Sequence, residues 1–163
     1  MTNTVLIQLM EQKHLMEVHR LHMASLAPED EGKNLSVEEY ANFSDRHHLQ
    51  GMVATSNDMM LGYLTFGITK EDDVLISDVC VDPCHRREGV GTALLWPLIH
   101  PWDYDLDVKM IVCNTSDTNL AGHMLLHANG FVGELTKMKD RHGNGVYHFS
   151  REPAQKEASD AAC

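Results

Sequence analysis

The sequence predicts an α/β fold of the α+β kind, with a mostly antiparallel sheet of about seven strands and about four flanking helices. Three observations predict it. Hydrophobic spacing alternates between period two and helical period in the order β-α-α-β-β-β-α-β-α-β-β. Short turn signals join three consecutive strands and the last two, as antiparallel pairing requires. A strand ending at Val81 also runs through a glycine-spaced loop into an apolar helix.

Thr4 to Leu9 is β-branched and apolar and reads as the first strand. In the helix expected from His14 to Ala27, Leu15, Val18, Leu21, His22 and Leu26 recur at helical spacing. Pro28 opens the acidic loop Pro28-Glu29-Asp30-Glu31-Gly32, and Ser36 with Glu39 forms a capping box that starts a second helix toward Arg46. Strands follow at Gly51 to Thr55, Met60 to Phe66 and Val74 to Val81, separated by the turns Ser56-Asn57-Asp58 and Glu71-Asp72-Asp73. Gly89 to Ile99 is helical, although Pro97 and Pro101 interrupt it, and the stretch from Trp102 to Asp105 has no period. Val108 to Cys113 is a β-branched strand and Asn119 to Asn129 a capped helix. Phe131 to Lys139 and Val146 to Ser150 flank the turn His142-Gly143-Asn144-Gly145 as a hairpin. Residues 1–150 are expected to form one domain, and residues 151–163, polar and Ala-rich, a flexible tail.

Composition narrows the function. With 163 residues, 43% apolar and 23% charged, the chain has the makeup of a soluble globular domain. Cys80, Cys84, Cys113 and Cys163 form no CxxC pair and no secretory leader is evident, which points to a reducing cytoplasm. No apolar run approaches the roughly 20 residues that span a bilayer, so no membrane partner is expected. The formal net charge of -11 repels phosphate backbones and argues against nucleic acid, though it serves solubility equally well. No cluster among the eleven histidines and the cysteines has metal-ligand spacing, so no metal is expected.

The chemistry concentrates between Val79 and Leu95. Amides at the start of the helix lack intrahelical acceptors, the helix dipole adds partial positive charge, and glycines admit a phosphate close to the backbone. Arg86 and Arg87 can add charge-assisted hydrogen bonds to phosphate oxygens. Alternatively, Gly89 and Gly91 only permit a tight strand-to-helix turn.

Arg86-Arg87-Glu88-Gly89-Val90-Gly91, preceded by Val81-Asp82-Pro83, resembles the signature of the GNAT acetyltransferase superfamily. Asn119 followed by Gly130-Phe131 resembles its second motif. The resemblance covers Thr4 to Ser150 and implies a mixed, mostly antiparallel central sheet splayed in the middle, with a bulge in the strand ending at Val81. It implies acetyl-coenzyme A as cosubstrate. The backbone at Val79 and Val81 would meet the thioester and pantetheine, Arg86, Arg87, Glu88, Gly89, Val90, Gly91 and Thr92 would wrap the pyrophosphate, and Asn114 and Asn119 would add polar contacts. The acceptor amine would attack the thioester directly, with no covalent enzyme intermediate and no role as nucleophile for Cys80 or Cys84.

The resemblance is incomplete where the family carries a tyrosine acid, because Gly122 and Leu126 occupy the small-residue and tyrosine positions. His127, or His123, on the same helix can supply a proton instead. Asp78 matches an acidic position of some family members and is the candidate base; a structural carboxylate is the competing reading. Acceptors in the family bind mostly between the first two helices and the final hairpin, where Glu29, Asp30 and Tyr147 suit a cationic amine, either a small molecule or a protein amine. A homodimer is compatible with this reading. The rival is a protein that binds acetyl-coenzyme A without turnover, as a sensor or regulator.

Overall fold

The computed structural model describes residues 4–25, 36–38, 49–104 and 107–155. Among these residues lie seven strands and three α-helices, in two compact units: Met1–Ile68 with Leu75–Leu95, and Thr69–Val74 with Trp96–Cys163. The helix expected from Ser36 toward Arg46 falls outside the described residues beyond residue 38. Among the described residues no helix is long and apolar enough to cross a membrane.

The first unit carries β1 (Leu6–Leu9), α1 (Leu15–Ser25), β2 (Gln50–Ser56), β3 (Met59–Ile68) and, from Leu75 on, β4 (Val74–Val81), with the strands in the order β1-β2-β3-β4. β1 pairs antiparallel with β2, and β2 with β3. The β2–β3 connection is the two-residue turn Asn57-Asp58, where both residues have positive φ (48° and 62°). Such a turn matches the right-handed twist of the strands it joins, and Asn and Asp tolerate it. α1 lays Val18 and Leu21 against Val53, Tyr63 and Cys80 to form a buried cluster.

α2 (Val90–Ile99) runs through Pro97 instead of ending there. Proline removes one backbone donor and crowds the preceding turn. The helix nevertheless closes, with the His100 amide on the Trp96 carbonyl at 2.8 Å, and Val90, Leu94, Leu95, Leu98 and Ile99 are buried along it.

The second unit contains β5 (Ile111–Ser116), α3 (Leu120–Ala128), β6 (Val132–Lys139) and β7 (Gly145–Arg151), with the strands in the antiparallel order β5-β7-β6. β5 lies three residues later than its apolar pattern predicts. Lys109 is taken up by the turn before β4, its ammonium 2.8 Å from Asp72, whereas the polar run Asn114-Thr115-Ser116 pairs with His148, Tyr147 and Val146. α3 is capped at both ends by the predicted residues. The Asn119 side chain accepts the Gly122 amide at 3.0 Å. Beyond Asn129, Gly130 takes φ +79°, its amide reaches the His127 carbonyl, and the Phe131 amide reaches Leu126, a Schellman closure. β7 extends to Arg151, and the Ala154 amide donates to the Ile99 carbonyl at 2.8 Å.

Candidate active site

β4 alternates as a strand must: Val74, Ile76 and Cys80 are buried, and Asp78 shares their face, while Val79 and Val81 lie on the opposite one. Asp78 therefore looks toward α1. Its Oδ2 accepts the Tyr63 hydroxyl and lies 3.2 Å from His22 Nδ1, which is itself 3.1 Å from the Tyr63 oxygen. Tyr63 is fully buried, whereas the His22 and Asp78 side chains are 26% and 32% exposed. A carboxylate, an imidazole and a phenol thus meet at the rim of an apolar cluster, where a proton can be both held and exchanged.

The predicted anion turn follows directly. The Asp82 amide bonds to the Leu61 carbonyl, and the Asp82 carboxylate caps a 3-10 turn, Pro83–His85, by accepting the Cys84 amide at 2.9 Å. That hydrogen bond, helped by Arg20 at 3.4 Å, holds the Asp82 carboxyl below its ordinary range. Arg86, Arg87, Glu88 and Gly89 are exposed. Arg86 Nε donates to the Val81 carbonyl at 3.3 Å, and Glu88 pairs with His85 at 3.1 Å. Arg87 and Gly89 have positive φ (69° and 82°), which turns the chain into α2. The Gly89 carbonyl accepts the first helical bond, from Ala93, so the amides of Val90 and Gly91 precede the intrahelical ladder. A Cβ on Gly89 would meet nothing within 4 Å, so the mouth of this turn is open. Exposed guanidinium groups, first-turn amides and open space fit a pyrophosphate.

Other sequence-predicted residues lie in the second unit. The Asn114 side chain is 2.8 Å from His148, its register partner across β5 and β7. Asn119 spends both ends of its amide within the protein, on the Gly122 amide and the Thr115 hydroxyl. Leu126, at the position of the absent tyrosine, is buried. His123 Nε2 lies 3.0 Å from the Ser116 carbonyl, and its ring meets Tyr147 and Phe149 edge-on. His127 is exposed, its ring edge-on to Phe149 at 5.1 Å. Tyr147 is partly buried on β7. Glu29 and Asp30 lie outside the described residues.

Sequence reasoning missed Tyr63 and His22 as members of the site. His22 counted only as one of the helically spaced positions of α1, and Tyr63 fell within the strand expected from Met60 to Phe66 without being singled out. The available signal was a polar side chain on each apolar face.

Cys80 has no nucleophilic setting. Its thiol donates to the Leu21 carbonyl at 3.5 Å, and burial, reinforced by the Asp78 charge, pushes it up and keeps it protonated. Among the described residues no three His, Cys, Asp or Glu side chains gather to hold a metal ion.

Residues 15–135 match the family model described as the acetyltransferase (GNAT) family. No curated protein matches the sequence. Among solved structures, Ard1 from Thermoplasma volcanium is similar with a TM-score of 0.76 at 18% identity, covering 93% of this chain and 99% of that one. YncA from Salmonella typhimurium, solved with its cofactor acetyl-CoA, is similar with a TM-score of 0.73 at 18% identity, covering 98% and 100%. The ribosomal-protein-S18-alanine N-acetyltransferase from Escherichia coli is similar with a TM-score of 0.70 at 18% identity, covering 96% and 98%. At these identities the likeness concerns the fold.

Proposed function

Because this chain belongs to the acetyltransferase (GNAT) family, we propose that it transfers the acetyl group of acetyl-coenzyme A to a primary amine of a cationic acceptor, by direct attack with both substrates bound. The observation that carries the reading is the run of one short segment. Asp78 stands on β4 with its carboxylate partly exposed, and within a dozen residues the same chain makes the open, arginine-flanked turn at Gly89.

The turn from Arg86 to Thr92 would hold the pyrophosphate through main-chain amides and guanidinium groups, and the backbone at Val79 and Val81 would line the pantetheine arm. Acetyl-coenzyme A supplies an activated thioester, whose C–S bond breaks as the new C–N bond forms. The protein's part is to orient the amine and take its proton at Asp78. Asn114 and Asn119 would add polar contacts to the cofactor, and His127 a proton for the leaving thiolate. Glu29, Asp30 and Tyr147 would recognise the acceptor, whose positive charge suits a protein of net charge -11. A small amine and a protein amine both satisfy this description. The related N-acetyltransferase of E. coli, named for a ribosomal-protein alanine, favours including peptides among the acceptors tested. A cytoplasmic setting agrees with the free thiols of Cys80 and Cys84.

A second reading, binding of acetyl-coenzyme A without turnover, is favoured by one observation: the buried side chain at the family's tyrosine position is Leu126. A panel of amines and peptide N-termini, with thiol release from acetyl-coenzyme A as the readout, separates the two. Release with at least one amine, lost in Gly89→Trp, supports transfer. Binding without release from any acceptor supports the second reading, and release unchanged in Gly89→Trp refutes the assigned turn.

A further inference from the structure

Both partners of Asp78 sit on the same carboxylate oxygen. Oδ2 receives the Tyr63 hydroxyl and faces His22 Nδ1 at 3.2 Å, while among the described residues Oδ1 has no hydrogen-bond partner. Tyr63 cannot swing away, because its ring is fully buried with Val18, Leu21, Val53 and Cys80. Two side chains from other elements, α1 and β3, thus pin one oxygen and leave the other to whatever enters the partly exposed side.

Resting on the transfer reading, we propose that Tyr63 and His22 are positioning residues for Asp78: by holding Oδ2 they present Oδ1 to the acceptor. In this step the ammonium N–H bond breaks, its electron pair stays on nitrogen, and the proton passes to Oδ1.

The test is kinetic, with the best amine from the screen. Tyr63→Phe and His22→Gln are each expected to lower kcat at least tenfold with KM for acetyl-coenzyme A unchanged, and to cost little further when combined with Asp78→Asn, because each acts through that carboxylate. Acetylation by the wild type that is undiminished in both single variants, or losses that add in full to that of Asp78→Asn, overturns the positioning role and leaves the transfer reading intact. No acetylation of any amine by the wild type refutes the transfer reading, and the positioning role falls with it.

Discussion

Gly62 of β3 lies so close to Cys80 of β4 that a Cβ on residue 62 would fall 2.6 Å from the Cys80 carbonyl oxygen and 3.2 Å from the Val81 Cα. Both obstacles are backbone, so neither can rotate away. Gly62→Ala must push β4 aside, at an expected net cost of about 1–2 kcal/mol once the lower entropy of the unfolded chain is counted. Urea unfolding measures that loss. The displaced strand carries Asp78, so acetyl transfer should fall by more than the small folded-fraction change accounts for.

Gly89 and Gly143 allow a matched comparison. Both have strongly positive φ, +82° and +83°, and a Cβ on either would meet nothing within 4 Å. Alanine at each pays only for the left-handed backbone, about 1–2 kcal/mol. The two variants are expected to lose similar stability, but only Gly89→Ala should weaken acetyl-coenzyme A binding, by tenfold or more. Calorimetric titration of both variants reads the difference directly, and equal affinities would remove the anion turn from the site.

Direct transfer also predicts what thiol substitutions do. Cys80 is buried and protonated, and Cys84 is exposed on the turn after β4. If neither carries an acyl group, Cys84→Ala should keep kcat within about twofold. Cys80→Ala should cost stability, roughly 1 kcal/mol for the small volume lost, yet retain most activity. Mass spectrometry after mixing with acetyl-coenzyme A should find no acetylated thiol on the reaction timescale.

What was legible in the sequence was local. β4 begins and ends where its apolar run does, at Val74 and Val81, and Asn119 and Asn129 bracket α3 as its cap residues. The turn at Gly89 could be read because a glycine marks it, whereas the positive φ of Arg87 in the same turn has no such mark in the sequence. β5 was misplaced because its second half is polar and is held by pairing with β7, a partner about 35 residues away that no local period reveals. Tyr63 and His22 were missed as site residues for the same reason: they lie 15 and 56 positions from Asp78 and meet it only once β3 and α1 pack. Asn119 illustrates the reverse case: its capping of α3 through the Gly122 amide is a local role that a polar residue at a helix start announces by itself.

His14 should make stability depend on mildly acidic pH. It is buried in the turn before α1, and its Nδ1 accepts the Glu11 amide at 2.9 Å, which requires that nitrogen to be unprotonated. Burial, with the neighbouring Lys13 charge, lowers its pKa below the ordinary 6.5. The unfolded chain therefore takes up a proton first. This contribution is complete above about pH 6.5 and is progressively lost as pH falls from there through the lower folded value. Urea midpoints measured from pH 8 to pH 5 should decline more steeply for the wild type than for His14→Gln, whose uncharged side chain has no such proton to gain.

The β6–β7 turn carries a dependence of the same sign, at lower pH. Asp140 accepts the His142 and Asn144 amides on Oδ1 at 2.8 and 2.9 Å and the Asn144 side chain on Oδ2 at 3.1 Å. Local desolvation pushes its carboxyl up, but the Asn144 and His142 hydrogen bonds outweigh it and lower the pKa from 3.8 to about 2. A depressed carboxylate stabilises the fold fully above its unfolded value and loses that contribution as pH falls from 3.8 toward 2. Asp140→Asn keeps the size of the side chain but not its charge, so it should be less stable than the wild type at neutral pH. The gap should narrow as pH drops below 4 and close near 2, because protonation then makes the wild type resemble the variant. Carbon-detected NMR of the carboxyl supplies the independent check, since a titration midpoint in the ordinary carboxylate range would mean that the turn hydrogen bonds do not hold the charge.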